Sequence, residues 1–201
     1  MACARPAQAE YSIVPLHSKW LPGDPMSEPE SSSPSRPVRP GERGVVLLAD
    51  DEEAIRWVGR RLLEIDGWTV LEATDGLEAL QIIQTRTGRL DLVITDLNMP
   101  RVTGRELAEV LSVFRPGLPV LGVSGFLSAV THDRRLPILP KPYTPGSLLQ
   151  AVHMACAGSV RLRRPVMENR RRARRLRELA GADPAVDLIA AVQVLRELET
   201  S

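Results

Sequence analysis

The chain has 201 residues, with 26 Lys and Arg against 25 Asp and Glu and a net charge of +1. That length holds one ordinary domain with extensions or two small ones, and the balanced charge offers no global field for nucleic acid or a membrane. No run of about 18 apolar residues and no charged-then-apolar leader is found, so a cytoplasmic protein without a membrane span is expected.

Residues 1–43 are rich in Pro, Ser, Glu and Arg, with SEPESSSPSRPVRPGERG the extreme part. Such a composition cannot bury enough apolar surface to offset chain entropy, and a disordered segment is expected. Met26 opens its most linker-like part and is read as an alternative translation start.

From Val45 onward, strand-like and helix-like stretches alternate. GVVLLA is an apolar run that ends in Asp50-Asp51. Ile55, Val58, Leu62 and Ile65 then recur at helical spacing until Gly67 stops the helix. WTVLEA is a second short strand, and Asp75 with Glu78 makes a capping-box-like start for LEALQIIQT, a helix ending near Gly88. In LDLVITDLNMP the run Leu92, Val93, Ile94 suits a strand buried on both faces, with Asp96 at its C-terminal end. Thr103 and Glu106 bracket the start of the next helix, through ELAEVLSVF. LPVLGV is a fourth strand ending at Ser124. A weak segment, GFLSAVTHDRR, precedes a short fifth strand, LPIL, and Thr144-Pro145 opens the helix SLLQAVHMACA.

Alternating units of this length predict an α/β fold with a parallel sheet and helices on both faces. Five units with right-handed crossovers fit the flavodoxin-like, doubly wound order 2-1-3-4-5, whose ligand crevice lies at the C-terminal ends of strands 1 and 3. Asp50-Asp51 and Asp96 close those two strands, so the fold and the charges point to one place. Carboxylates gathered there repel one another unless a cation intervenes, and hard oxygen ligands with room for water suit Mg²⁺. A carboxylate beside Mg²⁺ can act as a nucleophile toward a phosphoryl group. Lys141 and Ser124, each at the end of a neighbouring strand, supply a positive charge and a hydroxyl for the incoming oxygens. Lysine occurs only as Lys19 and Lys141 in a chain that otherwise uses arginine, consistent with a need for a compact ammonium at Lys141. Cys3 and Cys156 form no disulfide or metal pattern, and His17, His132 and His153 have no ligand spacing. Trp57 and Trp68 are read as packing residues, and Met99-Pro100 as a loop former that aims Asp96.

LADDE, VITDLNMP, VSG and LPKPY, in that order, resemble the signature of response-regulator receiver domains of two-component systems, over roughly residues 44–157. SGF followed by ILPKPY is closest in style to receivers attached to hybrid sensor kinases. The resemblance implies that Asp96 is the phosphoacceptor, charged by a histidine kinase, a phosphotransfer protein or a small acyl phosphate. It implies Asp51 as a direct Mg²⁺ ligand, Asp50 as a ligand through water, and Asn98 as the donor of a backbone carbonyl. Ser124 takes the switch-hydroxyl position, Lys141 bonds the phosphoryl group, and the bond before Pro142 is expected to be cis. The chain departs from the pattern at Ile138, where many members carry Tyr or Phe, so an aromatic rotamer switch is not supported. The span from Ser124 to Lys141 is also shorter than in common members by about one helical turn.

Residues 158–201 read as an arginine-rich tail of two helices joined at Gly181, packing on the receiver or pairing two copies into a homodimer. Pro184 marks a helix start, and Val186, Ile189, Ala190, Val192 and Leu195 give an apolar stripe; Leu176 and Leu179 share one side of the preceding helix. The expected function is a receiver that switches the binding of a downstream protein, with no enzymatic output domain. The alternative is a DNA- or RNA-binding regulator using the arginine helix, which is not favoured because the tail lacks aromatics and a recognition helix. An aspartate-based phosphohydrolase is a third class, and it lacks the second acid two residues after its nucleophile, where Asn98 stands.

Overall fold

A computed structural model describes residues 41–125, 136–157, 173–178 and 187–199. The expectations for residues 1–40 (disorder and the alternative start at Met26), for the weak segment after Ser124, and for most of the arginine run lie outside the described residues.

Successive βα units build one sheet. β1 (Gly44–Ala49) leads to α1 (Glu53–Ile65), β2 (Trp68–Ala73) to α2 (Gly76–Thr85), and β3 (Leu92–Asp96) to α3 (Gly104–Phe114). β4 (Val120–Ser124) and β5 (Ile138–Pro140) follow, then α4 (Pro145–Cys156) and, in the tail, α5 (Leu188–Glu199). All neighbouring strands pair in parallel, in the order β2-β1-β3-β4-β5. The fold is therefore the flavodoxin-like one expected, with a C-terminal helical extension.

Period-two alternation explains the two layers. Val46, Leu48, Leu92 and Ile94 face a core shared with Leu63 of α1 and Leu148 and Val152 of α4. Leu47, Ala49 and Val93 point the other way, toward α2 and α3. Local capping sets the helix starts: Thr103 and Glu106 form both halves of a capping box, and Asp75 accepts from the Glu78 amide at 2.9 Å. Glu78 reaches back to Thr74 instead of Asp75, one residue off the expected box.

α1 departs from the expected stripe. Its buried residues are Gly59 and Leu63, while Val58 and Ile65 are 47% and 78% exposed. The reason is Gly59: a Cβ there would lie 3.1 Å from the Leu48 side chain, so the missing side chain lets the helix sit close on β1. An apolar count cannot see a contact made by an absent group. Trp68 packs as expected and donates from its indole to Asp66, but Trp57 is 55% exposed, with the Arg61 guanidinium 6.0 Å from its ring centre.

The tail packs on the receiver. Leu188, Ala191, Val192 and Leu195 of α5, with Ala173 and Leu176 of the helical residues 173–178, join the core of α2 and α3. Val192 and Leu195 belong to the expected stripe, but Ile189 and Ala190 are only partly buried, and the stripe centres on Leu188 and Ala191 instead. Asp187 directly precedes α5, its carboxylate accepting from the Ile189 amide at 2.9 Å. The expected helix start at Pro184, the joint at Gly181 and the positions Leu179 and Val186 lie outside the described residues. In this structure the apolar stripe lies against the chain's own α2 and α3, as the packing alternative expected. Among the described residues no helix is long and apolar enough to cross a membrane.

Candidate functional site

Parallel register brings the site residues into one row. β1 and β3 pair to the level of Ala49 with Thr95, so Asp50 follows one strand as Asp96 completes the other. Ser124 pairs with Pro140, and the Lys141 amide donates to the Ser124 carbonyl at 2.7 Å. Asp50, Asp96, Ser124 and Lys141 thus share one edge of the sheet, at the strand C-termini.

Two matching turns orient the carboxylates. The Glu52 amide donates to Asp50 Oδ1 at 2.9 Å, and the Asn98 amide donates to Asp96 Oδ1 at 2.9 Å. These are Asx turns, in which a short acidic side chain holds the backbone two residues on. Both remaining oxygens face one cation: Lys141 Nζ lies 2.9 Å from Asp50 Oδ2 and 2.5 Å from Asp96 Oδ2. Asp50, Asp96 and Ser124 are all buried, and Lys141 is part-buried. Burial pulls the Lys141 ammonium toward neutrality, but hydrogen bonds and attraction from Asp96 and Asp50 outweigh it and raise its pKa above the ordinary lysine value. The Lys141–Pro142 peptide bond is cis.

Two further residues join the site. Carboxylate oxygens of Asp50, Glu52 and Asp96 all lie within 4.8 Å of one another. Asp51, expected to touch metal directly, is exposed and is not one of these three. Arg56 donates to the Asp50 backbone carbonyl at 2.7 Å and pairs with Glu72, steadying the β1–α1 turn. The sequence signal for Glu52 was the unbroken acidic run from Asp50; Arg56, one turn into a helix, offered none. Asn98 is exposed, its amide committed to Asp96.

Clustered hard oxygens are the donor set that a small divalent cation takes, and the Lys141 ammonium already occupies a cationic position between two of them. The residues present therefore fit a metal ion. Beside Lys141 an apolar hollow of about 510 Å³ is lined by Ala54, Ile55, Val58, Pro142 and Tyr143.

Comparison with known proteins agrees with this geometry. Residues 46–153 match the model of the response regulator receiver domain. The chain is 38% identical over 104 residues to the sensor kinase CckA of Brucella abortus (strain 2308), covering 49% of this chain and 11% of that protein. It is 35% identical over 109 residues to the response regulator MprA of Mycobacterium ulcerans (strain Agy99), covering 52% of this chain and 46% of that one. The chain thus spans less than half the length of either relative. Among solved structures, the response regulator TrrA from Thermotoga maritima in complex with Mg(2+)-BeF is 25% identical, with a TM-score of 0.50, covering 55% of this chain and 97% of that chain. With a family model matched across more than half its length, the chain belongs to the response regulator receiver domain family.

Proposed function

We propose that this chain takes a phosphoryl group on Asp96 and thereby switches the binding of a downstream protein. The observation that carries this reading is the pair of buried carboxylates, each tied by one oxygen to a backbone amide and offering the other to Lys141. In the step proposed, a carboxylate oxygen of Asp96 attacks phosphorus, an O–P bond forms, and the bond from phosphorus to the donor's imidazole or acyl oxygen breaks, its electron pair leaving with the donor. Lys141 and the Ser124 hydroxyl meet the phosphoryl oxygens. Asp50, Asp51, Asp96 and the Asn98 carbonyl would hold Mg²⁺, with Glu52 at the rim. When bound, that ion offsets the phosphoryl charge.

The donor is a histidine kinase or phosphotransfer protein, as is usual for receivers, or an acyl phosphate. The hollow beside Lys141 and the exposed apolar side chains of α1 suit the apolar face of a donor helix. Nucleic-acid binding through the arginine run has less support. Arg174 and Arg175 pair with Glu178, and Arg177 donates to the Val113 carbonyl.

The test is intact mass after acetyl phosphate treatment, with and without Mg²⁺, on wild type and Asp96→Asn. One added phosphoryl group in wild type alone, and only with Mg²⁺, is expected. Equal labelling of the Asn variant would move the acceptor elsewhere, and steady release of phosphate from an ester substrate would favour a phosphohydrolase instead.

A further inference from the structure

Residues 97–103 join Asp96 to α3, and this loop is gripped from two sides. On one side Arg101 forms an ion pair with Asp75, and the Gly76 amide donates to the Val102 carbonyl at 3.1 Å. On the other, Arg196 of α5 donates from Nη2 to the Arg101 carbonyl and from Nε to Glu106 Oε1 at 2.6 Å. Glu106 is the capping residue of α3, and its other oxygen accepts from the Thr103 amide and hydroxyl at 2.8 Å. Arg101 has a φ of 62°, a backbone conformation that residues with a Cβ seldom adopt unsupported.

The head of α3 also rests directly on the acceptor. A Cβ added to Gly104 would lie 2.1 Å from the Asp96 carbonyl oxygen, so the two backbones are in close contact. Any displacement of Asp96 therefore reaches the Thr103–Glu106 cap, and through it Arg196. α5 itself is 12 residues long, too short to persist as a helix in water without its apolar seat. Its order reports whether it is docked.

We propose that α5 is a strap whose seating on the α2–α3 face is coupled, through Arg196 and loop 97–103, to phosphorylation of Asp96, which loosens the strap and uncovers that apolar face. The proposal rests on Asp96 being the phosphoacceptor. Its direction follows from the resting bonds. Asp96 Oδ1 accepts from Asn98 and Oδ2 from Lys141 at rest; once Lys141 turns to the phosphoryl oxygens, Asp96 loses the partner that holds its Oδ2. Negative charge is added at the head of the loop at the same moment. The conformation that Arg196 grips loses support, and the apolar face of α2 and α3 becomes available to a downstream protein. Coupling is reciprocal: whatever loosens the strap favours the phosphoryl-bearing state by the same factor.

Hydrogen exchange by mass spectrometry on the full chain tests this, with and without Mg²⁺ and beryllofluoride, while ¹⁹F NMR reports beryllofluoride uptake independently. In wild type, uptake should speed exchange of residues 188–199 by about fivefold or more, a typical size for coupling between sites. Arg196→Ala should exchange fast in that segment with or without beryllofluoride, keep β3 protected, and bind beryllofluoride about fivefold more tightly. Should the Ala variant lose β3 protection as well, Arg196→Lys, which keeps the charge without the two-armed grip, carries the same comparison. Uptake without any change in 188–199, or with slower exchange there, overturns the strap and leaves the acceptor standing. A chain that takes up no beryllofluoride overturns both.

Discussion

Replacing Lys141 by Met keeps most of the side-chain stem and removes its charge, which isolates what the ammonium does for the two carboxylates. Asp50 and Asp96 are 3% and 7% exposed, and their oxygens lie within 4.8 Å of each other. Two unit charges 4.8 Å apart repel by about 3.5 kcal/mol at an effective dielectric of about 20. Removing one partner of a buried ion pair costs roughly 3–5 kcal/mol, a range that contains this figure. Lys141's side chain is 14% exposed, so water reaches the site and favours the lower end of the range. Urea unfolding in EDTA should therefore show a loss of about 3 kcal/mol for Lys141→Met. Mg²⁺ should restore more stability to the variant than it adds to wild type, because a bound cation then replaces the missing charge. A loss below about 1 kcal/mol in EDTA, the scale of an exposed ion pair, would refute the reasoning. So would a Mg²⁺ increment no larger in the variant than in wild type. In wild type the ammonium's pKa is raised, so its contribution is complete at neutral pH and is lost only as pH climbs through that raised value.

Three other outcomes follow from single contacts. Gly104→Ala places a methyl 2.1 Å from the Asp96 carbonyl oxygen and 2.7 Å from Thr95 Oγ1, both inside the fold. Thermal unfolding should register a cost at the upper end of the roughly 1–3 kcal/mol seen for overpacking, and an unchanged Tm would show that the backbones separate freely. Leu195→Ala empties a fully buried position between α5 and the α2–α3 layer. It should cost about 2–5 kcal/mol of tail docking, read as faster exchange in 188–199 with the sheet unaffected; equal protection would place Leu195 outside the interface. Glu106 is pushed up by burial, but its bonds to Arg196 and Thr103 prevail and hold its pKa below the ordinary glutamate value. Its stabilising effect is present above that ordinary value and is lost as pH falls through the lowered one. Acid should therefore loosen α5 before the sheet unfolds, and hydrogen exchange that is flat with pH in the tail would contradict this.

Much of this architecture was legible in the residues because it is written in local chemistry. The five apolar runs, the caps at Asp75, Thr103 and Thr144, and the acids at strand ends are each set by neighbours a few positions away. The resulting topology has few alternatives once crossovers are right-handed. Asp50, Asp96, Ser124 and Lys141 could be placed together from sequence because parallel register carries every strand end to one edge.

What the residues alone could not decide depends on contacts between distant segments. That a carboxylate oxygen of the exposed Glu52 comes within 4.8 Å of those of Asp50 and Asp96 depends on the turn in which Asp50 holds the Glu52 amide, a matter of geometry and not of composition. The buried face of α1 was hidden because it centres on Gly59, whose missing side chain is what makes close packing possible. The tail's apolar stripe was visible, but only the fold shows that α2 and α3 cover it. Only the fold, too, brings Arg196 to the loop that begins at Asp96. Burial is non-directional: an apolar stripe states that it must be covered, and tertiary structure alone supplies the partner.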